Sequence, residues 1–190
     1  MNVLTDALPS AVTIHGKAYP VYTDYRHWIR FFDMLGSDAT NRQKTICALQ
    51  WYKGDAPQDV SDALHGLLQF ASCADCPGTE QMQEEHSRSA QRLFDWSFDS
   101  KHILGAFLQT YHIDLTAEKM HWYKFNALLE ALPDDTPLKK RVAYRSINAA
   151  EISDDKRRAE IIRIQNRIRI PSPPMEAGAC GSVFGAALRR

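Results

Sequence analysis

Apolar residues recur at three- and four-residue spacing over most of this chain, and that period commits it to helices. The clearest stripe is Val60, Ala63, Leu64, Leu67, Leu68 and Ala71, with Asp59 placed to cap it. Upstream, Tyr25, Trp28, Ile29, Phe32 and Leu35 repeat the pattern behind Thr23 or Asp24 and stop at Gly36. A helix over about 41–52 points Ile46, Leu49 and Tyr52 inward until Lys53-Gly54-Asp55-Ala56-Pro57 breaks it. Ile103, Leu104, Phe107, Leu108 and Tyr111 share a further face. Trp122, Phe125, Leu128, Leu129 and Leu132 form another, with Met120 and Tyr123 opposite, so this helix is apolar nearly all round and is expected at the centre of a core. Pro137 suits the first turn of a shorter helix. Ser153 is placed to cap a last helix, in which Ile161, Ile164 and Ile168 align.

Two stretches break the helical period. Residues 11–22 alternate apolar and polar on both sides of His15-Gly16-Lys17, where Gly16 can supply a positive φ, and this predicts a small hairpin with Pro20 at an edge. Leu93-Phe94-Asp95-Trp96-Ser97-Phe98-Asp99 alternates like a short strand. The expected fold class is therefore mainly α, a compact multi-helix domain of six to seven helices over 1–170 with an N-terminal β-hairpin. The polar run at about 72–92, with Pro77-Gly78, is too long for a connection inside a compact domain and predicts a mobile linker. Residues 171–190 are rich in Pro, Gly and Ala and predict a disordered tail.

A chain of 190 residues can bury roughly 70% of its unfolded surface. It needs no covalent staple. Lys plus Arg (23) balances Asp plus Glu (23), so no global field favours nucleic acid or a membrane surface. The start lacks the basic and apolar regions of a signal peptide, and no apolar run approaches the ~18 residues of a membrane span. Four scattered cysteines then read as reduced thiols, and the expected place of action is the cytoplasm.

Cys73-Ala74-Asp75-Cys76 has the spacing of a zinc or redox pair, but no second pair exists, and the candidate ligands His65 and His86 sit in a helix and in the linker. Chance thiols are the better reading. His102, His112 and His121 fall near Asp99, Asp114 and Glu118, yet no nucleophile elbow, metal-binding His pair, phosphate loop or dinucleotide glycine pattern accompanies them. No catalytic residue, cofactor or metal is therefore expected, and His121 reads as a core or boundary histidine. Residues 153–170 carry six basic residues against three acids, enough to touch phosphates. Here, though, Arg158 and Arg169 flank the isoleucine stripe on one side and Arg163 and Arg167 on the other, which suits a docking helix whose Arg stems cover its apolar edge.

Three long segments carry a family resemblance: MNVLTDALPSAVTIHGKAYPVYTDYRHWIRF, LFDWSFDSKHILGAFLQTYHIDLT and MHWYKFNALLEALPDDTPLKKRVAYRSIN, followed by DDKRRAEIIRIQNRI. In this order they resemble the bacteriophage gene-product-fifteen family, small proteins encoded among the tail genes of long-tailed phages and prophages. The 72–92 run and the tail after Pro171 depart from that pattern. Such genes lie between those for the major tail protein and the tape measure, the position of tail assembly chaperones. The resemblance thus implies a non-catalytic protein of the host bacterial cytoplasm whose partners are the tape measure or tail tube protein. A structural part of the mature tail is one alternative, and a nucleic-acid-binding accessory protein using the basic helix is another. The candidate protein-binding residues are Trp122, Tyr123, Ile161, Ile164, Arg163, Arg167 and Ile168, to be met by a partner helix laid in a groove.

Overall fold

A computed structural model of the chain describes residue 2 and residues 4–74 and 93–171. Apart from 72–74 and 171, the expected linker and tail lie outside the described residues. The fold is mainly α, with seven helices among the described residues and one two-stranded antiparallel hairpin. The chain divides into two compact units: 1–84 with Met120–Phe125, and 85–119 with 126–173.

The first unit opens with strands β1 (Ala11–Ile14) and β2 (Lys17–Pro20), paired from Ala11 with Pro20 to Ile14 with Lys17. His15 and Gly16 both take positive φ, 49° and 78°, which gives the two-residue turn the twist its strands require. Helix α1 (Tyr25–Gly36) starts where the Asp24 carboxylate accepts the Arg26 N–H. A reciprocal box between Thr40 and Gln43 starts α2 (Asn41–Ala48). The expected helix over 41–52 tightens into a 3-10 turn at Leu49–Trp51. Asp59 caps α3 (Val60–Ala71) as expected.

Aromatic packing builds the core of this unit. Trp28 and Trp122 are essentially unexposed, with Trp28 stacked on Phe70 at 4.9 Å and Tyr25 stacked on Phe125 at 4.5 Å. Each buried indole N–H finds a carbonyl: Trp28 donates to Tyr22 at 2.8 Å and Trp122 to Ala71 at 2.9 Å. Large aromatics are therefore buried here without an unpaired donor. Ile46, expected inward, is 54% exposed, and Val60, placed on the inward stripe of α3, is 44% exposed. The small residues Ala48 and Gly66 are buried instead, and at Gly66 the hairpin and Tyr52 approach too closely for a larger side chain.

The second unit holds α4 (Ser100–Tyr111), the later part of α5 (Trp122–Glu130), α6 (Pro137–Ser146) and α7 (Asp155–Ile168). Leu93 to Asp99 is not the expected strand. The Asp95 carboxylate accepts the Phe98 N–H and the Asp95 carbonyl accepts the Asp99 N–H at 3.0 Å, closing a turn that competes with extended backbone. Left-handed His112 ends α4. Pro137 occupies the first turn of α6, behind the Thr136 cap. Asp154, not Ser153, caps α7, accepting from the N–H groups of Lys156 and Arg157. Helix α5 does not meet the expectation of a helix buried all round, its buried residues being confined to the first turn. Trp122, Tyr123 and Phe125 are buried, whereas Lys124, Ala127 and Glu130 face solvent.

At the heart of this unit Arg145, 2% exposed, makes two hydrogen bonds to the Asp99 carboxylate at 2.7 and 2.8 Å. It also donates to the carbonyls of Leu93 at 2.8 Å and Ile168 at 2.9 Å. One guanidinium thus ties the segment before α4 to the end of α7. Nothing in the apolar periodicity marks it.

Candidate functional site

Helix α7 is held to its own unit by one face. Ile161 and Ile168 are buried, and Gln165, between them at helical spacing, donates to the carbonyls of Tyr144 at 2.9 Å and Ile147 at 2.7 Å, closing the end of α6. Arg158 folds back on the start of the helix, donating to the Ile152 carbonyl at 3.0 Å and to Asp155 at 2.7 Å. The opposite face consists of Ala159, Ile162, Arg163, Asn166 and Arg167, all exposed and recurring at i, i+3, i+4, i+7 and i+8. That spacing is one continuous stripe. Ile162 lies within it at 42% exposure, and neither Arg163 nor Arg167 takes an ion pair among the described residues. Across the helix, five basic residues stand against two acids, Asp155 and Glu160.

The structure sorts the expected protein-binding residues into three groups. Arg163 and Arg167 are on the open face of α7. Ile161 and Ile168 are core and Ile164 is half-buried, so the isoleucine stripe mostly faces inward. Trp122 and Tyr123, 1% and 3% exposed, belong to the core of the first unit and offer no surface. Periodicity missed Ile162, one residue out of phase with that stripe. The available signal was its flanking by Arg163 and Asn166.

Of the histidines, His121 is held at both ring nitrogens. His121 is half-buried, with Nδ1 accepting the Tyr123 N–H at 3.1 Å, so the ring proton sits on Nε2 and is donated to the Pro9 carbonyl at 2.9 Å. Burial pushes its pKa below the ordinary histidine value, although the Pro9 carbonyl opposes this. Cys73 is buried in a left-handed turn after α3, and Cys76 and His86 lie outside the described residues. Among the described residues no group of three His, Cys, Asp or Glu side chains could hold a metal. An open cleft beside the hairpin tip is lined by Lys17, Tyr19, Asp55, Asp59 and Asp62. Asp59 is engaged there as a helix cap, and Asp62 lies 3.6 Å from His15.

A family model described as Bacteriophage Gp15 protein matches residues 4–170. The chain belongs to that family. The match covers both units and ends just after α7, so the open face of that helix lies within the Gp15 region. No curated protein and no solved structure matches the chain. No helix among the described residues is long and apolar enough to cross a membrane.

Proposed function

We propose that this Gp15 protein is a non-catalytic tail assembly chaperone, acting in the host bacterial cytoplasm and binding the tape measure or tail tube protein through the open face of α7. The observation that carries the reading is the stripe Ala159, Ile162, Arg163, Asn166 and Arg167, in which the exposed apolar Ile162 stands beside Arg163 and a turn from Arg167, neither of them ion-paired among the described residues. Arginine beside an aliphatic anchor is the composition of a protein contact, since the guanidinium fixes register while the apolar group is desolvated. A helix that only reads phosphates gains nothing from an exposed isoleucine at its centre. Family membership supports the phage context, and the tail-gene setting implied by the resemblance supports the choice of partners.

The test is co-expression with the tape measure and tail tube proteins of the same phage. The partner should become soluble and co-purify, and the triple change Ile162→Asp, Arg163→Glu, Arg167→Glu should abolish capture with the helical content unchanged. No capture of either partner by the unmodified chain sinks the proposal. A chaperone should also be missing from purified virions, whereas stoichiometric presence there would make it a tail component. The basic face of α7 gives nucleic acid a second hearing. A salt-dependent shift with DNA, lost on replacing Arg163 and Arg167, would favour that reading.

A further inference from the structure

Helix geometry gives the open face of α7 two unlike edges. Ile162 precedes Gln165 by three residues, so it lies about 60° round the helix from the side chain that fastens α7 to the end of α6. Arg163 and Arg167 each stand about 160° from Gln165 and one turn from each other. The edge toward α6 is thus apolar and the far edge basic, with the shorter side chains of Ala159 and Asn166 between them. The apolar edge continues beyond α7. Tyr144, whose carbonyl accepts from Gln165 at 2.9 Å, is 36% exposed at the end of α6, and Ile162 is 42% exposed. On these two helices no other large apolar side chain among the described residues is open to solvent. The basic edge is short of counter-charge. Like charges at i and i+4 are unfavourable, and Glu160, on the same side of α7, is not within ion-pair distance of either arginine.

We propose, in a step that rests on α7 being the partner-binding helix, that the surface from Tyr144 across Ile162 to Arg163 and Arg167 takes an amphipathic helix of a protein partner, acidic along one flank. Apolar side chains of that helix cover Tyr144 and Ile162, and two carboxylates one turn apart meet Arg163 and Arg167. Two edges of opposite chemistry admit such a helix in one rotational setting, so charge selects the partner while the apolar edge supplies the buried contact. Phosphates would meet the arginines but leave Tyr144 and Ile162 uncovered.

The probe is a synthetic helical peptide with leucine along one face and glutamate at i and i+4 on one flank, titrated into the full chain and followed by fluorescence anisotropy and amide NMR signals. Binding should saturate, move the signals of Tyr144, Ile162, Arg163 and Arg167, and weaken as salt rises. Glutamine in place of both glutamates should weaken it roughly tenfold. Tyr144→Ala, which keeps the carbonyl that Gln165 holds, should weaken it at least about fivefold. The double change Arg163→Glu, Arg167→Glu, with helical content unchanged, should reject the glutamate peptide and accept one with lysine at those positions. Equal binding of the glutamate and glutamine peptides overturns the proposal, as does full affinity in Tyr144→Ala. Signals that move when the chain alone is concentrated would give the face to a second copy, and movement with duplex DNA while the peptide is inert would give it to nucleic acid; either overturns the proposal. Saturable peptide binding without capture of a tail protein supports it and overturns the chaperone reading alone, whereas capture with an inert peptide overturns it and leaves that reading standing.

Discussion

Replacing Gly66 by alanine sets helix propensity against packing, and the structure decides the sign. Gly66 lies inside α3, where alanine is favoured over glycine by about 1 kcal/mol because it loses less backbone entropy on folding. A Cβ built there would stand 2.5 Å from Val12 Cγ1, 3.2 Å from Ile14 Cδ1 and 3.3 Å from the Tyr52 hydroxyl. Val12 is 6% exposed and β-branched, so its methyl has no free rotamer to swing into. Tyr52 is also fixed, its hydroxyl donating to the Ala63 carbonyl at 2.8 Å. Overpacking of this kind costs about 1–3 kcal/mol, which leaves Gly66→Ala destabilised by up to roughly 2 kcal/mol after the propensity gain. Gly105 in α4 is the internal control. It is exposed, a Cβ there meets nothing within 4 Å, and Gly105→Ala should stabilise its unit by about 1 kcal/mol. Urea unfolding followed by circular dichroism measures both midpoints. In a Val12→Ala background the Gly66 penalty should fall by at least about 1 kcal/mol, the coupling expected of residues in contact. If Gly66→Ala raises stability as much as Gly105→Ala does, the hairpin does not press on α3 as described.

Asp99→Asn should destabilise the second unit by about 3–5 kcal/mol, because it leaves the buried Arg145 and its neighbour Arg141 without a counter-charge; a thermal-melt change equivalent to under ~0.5 kcal/mol would refute the clamp. His121 has a folded pKa depressed below its unfolded value near 6.5, so its contribution to stability is complete above that value and is lost as pH falls through and below it. His27 and His102, also lowered, act with the same sign, and urea midpoints across pH 7.5 to 5 should decline. An NMR titration placing the His121 pKa at or above 6.5 would contradict the assigned Nε2 tautomer and its Tyr123 bond. Ile162→Asp, on an exposed position, should change unfolding free energy by no more than ~0.5 kcal/mol while removing partner capture, and a large loss of stability would show that Ile162 is part of the core.

How much of this fold was legible in the sequence follows from which forces leave a local trace. Helix existence was legible because the period of the apolar residues is a property of one segment, and the caps at Asp24 and Asp59 are chemistry within four residues. The inward face was less legible. Ile46 and Val60 are as apolar as any core residue, yet Ala48 and Gly66 are the buried ones, and at Gly66 a neighbouring strand and ring decided how much room existed. The same limit governs the candidate sites. Arg163 and Arg167 could be placed on the flank of a helix, but that Ile162 and not Ile161 is open depends on where Gln165 and Arg145 fasten α7, through carbonyls roughly 20 residues away along the chain. The pairing of Asp99 with Arg145 spans 46 positions and joins a segment that reads as a strand to a helix that reads as merely basic. Its consequence, an Arg141 left 3.6 Å from a carboxylate that Arg145 already occupies, is a fact about charge counted in space. A residue's own neighbours in sequence carry no record of that count, so a polar site of this kind becomes visible only when the partners of each buried donor have been traced.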